Sequence, residues 1–472
     1  MSKIRDGTWL TLSRAAALTG PFIVTPMAAR VLTKEELGSW ALIQVVVGFL
    51  AIFQDGGVGN YVIRHPDYNA ATRRMARLIG LLAGVLAGIA LAAVSIPVTF
   101  LMGISSHWKY FLPLVLTFSL GGLTGVLNAE LRRELRFREL FMATGLATLL
   151  FVPVTWMMLA KGWGLWSYTI SSAALTSVQV SFLALRLRPL SLGWGGALFS
   201  EIVVYTRGLL GFNIINYWAR SADNLLVGRF LGPAPLAVYA NAYRIMLIPI
   251  TQVISTLNPL MLPYLAKYAN DKEGQRRELF GFVRLIGCIV FPPMTFLWLE
   301  RDFLVRIYLG PGWSGVADLL AWFVPIGMLQ CLINPLGNAY LVAGRNDEFF
   351  KIGVINTVVI VLSFVCGLPF GVKGVAIGYL VANLIMCFPI VHRALRMMGS
   401  SFNDWIMQTS LLWFIPGLSL VISYRFSEMP SPWDIVARGG VTLLISLLVV
   451  GRMEGKALRR WLHVRRSGHL AT

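Results

Sequence analysis

Four arginines lie inside long apolar stretches of this chain: Arg14, Arg207, Arg220 and Arg244. A charge at the centre of a membrane helix costs about 2.5–3.5 kcal/mol on insertion scales, so each marks a candidate functional position. A guanidinium offers a planar fork of donors that fits phosphate or carboxylate through paired charge-assisted bonds. The chemistry on offer is capture of an anionic group such as a diphosphate or an acidic sugar. Around Arg220, the residues Asn213, Asn216, Asp223 and Asn224 follow at helical spacings and form one polar stripe. The next apolar run repeats the pattern with Asn241, Arg244 and Gln252, a later one carries Gln330, Asn334 and Asn338, and an early one Gln44 and Asp55. These stripes require a cavity, because lipid would leave them unsatisfied. Two plainer roles compete: Arg220 and Asp223, three apart, neutralise each other, and Arg207, near its helix end, snorkels to headgroups. Asp55 precedes Gly56-Gly57 and reads as a helix-ending turn, with gating or ion coupling as its sharper alternative, shared with Asp223 and Gln44.

Other chemistries lack their residues. The histidines His65, His107, His392, His463 and His469 show no metal-ligand or nucleophile–base spacing, and no Gly-x-x-x-x-Gly-Lys-Ser/Thr loop occurs. Cys288, Cys331, Cys366 and Cys387 all fall in apolar runs and read as small core hydrophobes. The expectation is no enzyme, no cofactor, no metal and no disulfide. A membrane polymerase or ligase would be expected to carry a long loop with catalytic groups, and every connection here is short.

The elements that position the arginines follow from composition. Of 472 residues 56% are hydrophobic and 13% charged, where soluble chains carry about 25% charged residues; the mean hydropathy is +0.68. Apolar runs of about 20 residues, enough to cross a bilayer, recur throughout. Fourteen are expected, at 9–31, 37–55, 78–102, 110–129, 140–160, 163–185, 203–228, 236–265, 282–299, 315–343, 352–370, 374–391, 406–424 and 434–451. Continuous runs exclude an outer-membrane barrel, whose strands alternate over about 10 residues. The fold class is all-α and polytopic, and span 1, too long for a cleavable signal, is expected to remain.

Of 41 basic residues, 27 fall on the two termini and on or at the edges of the even-numbered connections, which places both termini in the cytoplasm. The same asymmetry accounts for the net charge of +19 without a nucleic-acid partner. The basic stretches Arg132–Arg138 and Lys456–Arg466 are expected to meet anionic headgroups, and Glu130 to form a solvated ion pair beside Arg132 and Arg133.

The segment Arg30–Ala41 aligns without gaps with Arg229–Ala240, sharing Arg, Leu, Leu, an aromatic and Ala. A weaker pair joins Gly162–Trp166 to Val372–Ala376. Spans 1–6 therefore correspond to spans 7–12 as parallel repeats. The expected divisions are 1–190, a six-helix lobe; 200–397, a second one; and 398–472, spans 13 and 14 with a basic tail. Pro21 and Pro26 in span 1, Pro249, Pro259 and Pro263 in span 8, and Pro292-Pro293 in span 9 permit kinks, and spans 1 and 8 are candidate bending elements.

Four stretches carry a family likeness: Phe53-Gln-Asp55-Gly-Gly-Val-Gly59, Ala129-Glu-Leu-Arg-Arg-Glu-Leu-Arg-Phe137, Arg220 to Gly232, and Leu236-Ala-Val-Tyr239-Ala-Asn-Ala242. In order and spacing they resemble the multidrug/oligosaccharidyl-lipid/polysaccharide exporter superfamily, and within it the Wzx-like and colanic-acid-exporter-like flippases. The resemblance implies transport of an undecaprenyl-diphosphate-linked oligosaccharide across the bacterial inner membrane by alternating access. It implies membrane lipids and a polysaccharide polymerase or export machinery as partners. A drug exporter of the same superfamily would call for a carboxylate-rich cavity, whereas this chain offers arginine.

Reporters fused after Lys109, after Lys161 or within residues 310–315 should read as periplasmic, and fusions after Arg74, Arg136 or Arg276 as cytoplasmic. A periplasmic readout from any of the latter three breaks the span assignment at that point.

Overall fold

Bare N–H and C=O groups have no water to bond in hydrocarbon, so a chain this apolar satisfies its backbone within helices. The computed structural model describes residues 9, 19–66, 68–187, 189–268, 271–424 and 433–466, and every regular element among them is helical. Arg14 lies outside the described residues, as do the side chains of Asp55, Arg207 and Asn216.

The chain forms two compact units, Met1–Ala240 with Tyr308–Gly310, and Asn241–Ile307 with Pro311–Thr472. The first holds α1 (19–31), α2 (Lys34–Asp55), α3 (Val58–Arg64), α4 (Ala70–Leu101), a 3-10 segment (Ser105–Phe111), α5 (Leu112–Arg133), α6 (Phe137–Ala160), α7 (Trp166–Arg186) and α8 (Gly196–Leu231). Helix α5 packs on both α4 and α7, and α2 packs on α4 and α8. A capping box starts α2: the Glu36 amide donates to the Thr33 hydroxyl at 3.2 Å and the Thr33 amide donates to the Glu36 carboxylate at 2.9 Å. The helix ends at Asp55, where the Gly56-Gly57 pair placed it.

Small residues let helices approach closely where no hydrophobic force draws them together. A Cβ on Gly122 of α5 would lie 2.1 Å from the Gly80 carbonyl oxygen of α4. Gly38 of α2 is tighter: its Cβ would lie 1.7 Å from the Pro233 carbonyl oxygen. Gly38 and Pro233 belong to the two segments that align in sequence, so the repeat-like turns meet backbone to backbone inside the first unit.

Helix α9 (Pro233–Ala266) contributes its later part to the second unit, joined by α10 (Lys272–Leu299), α11 (Arg301–Tyr308), α12 (Ser314–Ile333), α13 (Gly337–Val342), α14 (Asn346–Gly367), α15 (Gly371–Arg396), α16 (Phe402–Ser423) and α17 (Trp433–Arg466). Helix α12 is central, packing on α10 and α15, while α16 and α17 pack on α10. In the stretch Pro311–Val342, 72% of the most apolar window is buried, against 17% for Asn346–Arg396, whose Leu362, Val365 and Phe388 point outward to lipid.

Eleven described stretches are long and apolar enough to cross a membrane, where the sequence predicted fourteen. The first expected span is described only from residue 19, apart from Trp9. Helix α8, with Glu201, Arg207, Arg220, Asp223 and Arg229, is not among the eleven, and the expected spans 352–370 and 374–391 fall in the single stretch Asn346–Arg396. Helix ends also differ. Helix α4 begins at Ala70 rather than 78, carrying Arg77 into its second turn, and α10 begins at Lys272 rather than 282. The run expected as 315–343 breaks at the 3-10 turn Asn334–Leu336, where Pro335 lacks an amide to continue the helix.

Gly38→Ala should abolish the monodisperse peak of detergent-solubilised protein, since a backbone carbonyl cannot give way as a side chain can; overpacking of this kind costs about 1–3 kcal/mol or more. Gly417→Ala, whose Cβ meets nothing within 4 Å, is the control and should leave the peak intact. Equal behaviour of the two variants would remove the close approach as a folding constraint.

Candidate functional site

Asn213 and Arg220 are exposed on α8, seven residues apart and so on one helical face. Asp223 turns the other way. It is 4% exposed, accepts a 3.1 Å hydrogen bond from the Tyr239 hydroxyl and takes the Asn224 amide at 2.7 Å. Neutralisation of Arg220 by Asp223, one of the competing roles the sequence left open, has no counterpart among the described ion pairs. Three residues along an α-helix rotate about 60° short of a full turn, enough to face Asp223 inward while Arg220 stays outward. Helix α8 is seated by Tyr217, whose hydroxyl donates to the Val45 carbonyl at 2.5 Å. Gln44 on α2 is half-buried.

In the second unit Asn241 is buried and Arg244 exposed on α9. Asn338 is buried and donates to Asn258 at 2.7 Å, whereas Asn334 is exposed in the 3-10 turn. The break at Pro335 separates what the sequence read as one stripe. Gln330 donates to the Tyr379 hydroxyl at 2.7 Å and to Asn383 at 3.1 Å. Of the predicted residues with described side chains, Asn213, Arg220 and Gln44 thus belong to the first unit with Asp223, and Asn241, Arg244, Asn334 and Asn338 to the second.

A charged cluster that the sequence did not reveal lies in the first unit. Glu130, expected as a solvated partner of Arg132 and Arg133, is fully buried and receives both arms of Arg77, Nε at 2.9 Å and Nη2 at 2.6 Å. The Tyr68 hydroxyl adds a bond at 2.9 Å to Glu130, and the remaining Arg77 arm donates to the Pro189 carbonyl at 3.1 Å. Burial, then the Glu130 carboxylate, pushes the Tyr68 phenol up, keeping it a donor. Arg133 gives its donors instead to the carbonyls of Val62 at 2.9 Å, His65 at 2.6 Å and Pro66 at 3.1 Å, closing the end of α3. From α8, Glu201 meets His65 Nε2 at 2.8 Å and accepts from Tyr61 at 2.9 Å. In the second unit Arg438 pairs with the buried Glu300 at 3.1 Å. Burial pushes Glu300 up, and Arg438 opposes that shift.

Partners 53 residues apart leave no local signature. The one available signal was position: Arg77 directly precedes the expected span 78–102, and Glu130 directly follows the expected span 110–129, inside the motif Ala129–Phe137.

The chain matches a family described as polysaccharide biosynthesis protein over residues 27–318. It is 23% identical over 434 residues to the lipopolysaccharide biosynthesis protein WzxC of Escherichia coli, covering 89% of this chain and 87% of that protein. To the succinoglycan biosynthesis transport protein ExoT of Rhizobium meliloti it is 22% identical over 319 residues, 66% of this chain and 63% of that one. Among solved structures, the lipid II flippase MurJ in an inward closed conformation superposes with a TM-score of 0.78 at 12% identity, covering 96% of this chain and 100% of that one. An inward-facing multidrug resistance MATE transporter of the MOP superfamily superposes at 0.67 with 14% identity, covering 83% and 99%. The chain shares its fold with these two solved structures.

Removing one partner of a buried ion pair costs about 3–5 kcal/mol, whereas apolar replacement of both is often neutral. Arg77→Met or Glu130→Leu alone should therefore sharply lower the thermal midpoint in detergent, and the double variant should recover most of the loss. Additive losses in the double variant would show that the two side chains act separately.

Proposed function

This chain belongs to the polysaccharide biosynthesis protein family, and we propose that it is a flippase moving an undecaprenyl-diphosphate-linked oligosaccharide across the bacterial inner membrane by alternating access. The product serves exopolysaccharide, capsule or O-antigen synthesis, and a polysaccharide polymerase or export machinery takes it over. The observation that carries this reading is the outward-facing pair Asn213 and Arg220 on α8, an arginine held in a largely apolar helix without a carboxylate partner among the described ion pairs. A second guanidinium, Arg244, is exposed on α9.

An arginine that is not neutralised has reason to persist in such a helix when an anionic group binds it, because an uncompensated charge is costly there. We assign Arg14, Arg207, Arg220 and Arg244 to the diphosphate or an acidic sugar, with Asn213, Asn216, Asn241, Asn334 and Asn338 donating to sugar hydroxyls. Asp55, Asp223 and Gln44 are gating or coupling positions. For Asp223 the bond from Tyr239 favours a structural share in that role. The parallel repeats 1–190 and 200–397 are the two halves that rock, spans 13 and 14 are appended, and both termini are cytoplasmic. Names of relatives that speak of biosynthesis and transport support this reading.

Arg220→Ala and Arg244→Ala should each lower export of the lipid-linked oligosaccharide by roughly tenfold or more, as loss of a charge-assisted hydrogen bond of about 1.5–3 kcal/mol requires. Protein amount in the membrane should be unchanged, and lysine should restore only part, since an ammonium lacks the planar fork. Full export by the alanine variants would overturn the assignment of the arginines. Moving an anion outward also gains about 2.3 kcal/mol per charge per 100 mV, so collapsing the potential in vesicles should slow transport several-fold. Transport that ignores potential and stops without a sodium or proton gradient would shift the coupling to Asp55 and Asp223.

A further inference from the structure

A cavity of about 520 Å³ opens at the basic ends of α6 and α7. One wall is apolar, made by Trp9, Phe137 and Met142; the other carries Arg136, Arg138 and Arg186 against a single acid, Glu139. Arg136 is committed. It holds Glu139 at 2.9 and 2.5 Å and Glu134 at 3.0 Å, and reaches the Arg186 carbonyl at 3.3 Å. Arg138 and Arg186 remain exposed; the latter lies over the Phe182 ring at 5.2 Å, and neither forms an ion pair among the described residues.

The turn that builds this wall is strained. Leu135 is the single non-glycine described residue at positive φ, 56°, a conformation costing a non-glycine residue about 1–2 kcal/mol. It reverses the chain after α5 so that Arg136 and Arg138 flank the start of α6. The Trp9 ring packs at a tilt against Phe141 with centroids 5.3 Å apart, and tryptophan is enriched at membrane–water interfaces. From Met142 the apolar wall continues along the same face of α6 through Leu146, Leu149 and Leu150, all exposed to lipid.

We propose that this cavity binds one anionic phospholipid from the surrounding leaflet, its phosphate between Arg138 and Arg186 and an acyl chain along the Met142–Leu150 face. A free phosphate shares the headgroup chemistry but has nothing to place on that apolar track. The proposal does not rest on the transport reading, and its test needs no transport.

Native mass spectrometry of the full-length purified protein, with phosphatidylglycerol or phosphatidylcholine added, reads the site directly. One phosphatidylglycerol should be retained in preference to phosphatidylcholine. Arg138→Gln with Arg186→Gln should weaken retention by roughly thirtyfold, about fivefold for each cation at an anionic headgroup. Arg393→Gln with Arg396→Gln removes the same charge from two exposed positions elsewhere and should change nothing. Met142→Trp, which narrows the cavity beside the apolar track without altering charge, should also weaken retention. Equal losses from the two double variants, or undiminished retention by Met142→Trp, would overturn the proposal in favour of diffuse attraction. Displacement of the lipid by an equal concentration of inorganic phosphate would make this an anion site and overturn the lipid assignment.

Discussion

Every feature of this protein descends from the cost of an unbonded polar group in hydrocarbon. The backbone meets that cost by forming helices throughout, which leaves the side chains as the only variable. Those of Arg77 and Glu130 meet it by bonding each other through two contacts, with Tyr68 and the Pro189 carbonyl completing the set. Asn338 and Gln330 meet it through Asn258, Tyr379 and Asn383. Arg220 follows neither course and remains outward. The contrast separates polar residues that hold helices together from one that does not.

The same logic distributes the small residues. Without a hydrophobic force between helices in lipid, contact strength comes from proximity. Gly122 against Gly80 and Gly38 against Pro233 show how closely the backbones come. At the approach of α4 to α5, heavier side chains such as Leu86 and Ile89 stay outside.

How much could be read from the sequence follows from the range of each interaction. Periodicity is local, so the polytopic all-helical fold, the end of α2 at Asp55 and the positions of Pro249 and Pro292 inside their helices were legible. Helix starts were less so, because charged first turns such as that holding Arg73 and Arg74 read as loop. The stripe on α8 was recognised as polar, but 60° of rotation decided that Asp223 faces Tyr239 and not Arg220. Sequence spacing cannot resolve that when both orientations keep the residue near one face. The Arg77–Glu130 pair lay beyond reach for another reason: its partners are brought together only by the packing of α4 on α5.

The position of that pair near one end of each helix matters while the chain is still being made. Glu130 is synthesised 53 residues after Arg77, an interval of roughly 3–10 s at ordinary elongation rates of about 5–20 residues per second. Helix α4 is complete at Leu101, so for the later part of that interval it resides in the bilayer with an uncompensated guanidinium. In the second turn of the helix, Arg77 is close enough to the headgroups to extend towards them and stay hydrated. The same residue at mid-helix would have to cross the apolar layer alone before its carboxylate arrived. The pair is thus placed where a membrane protein built in sequence can tolerate one half before the other.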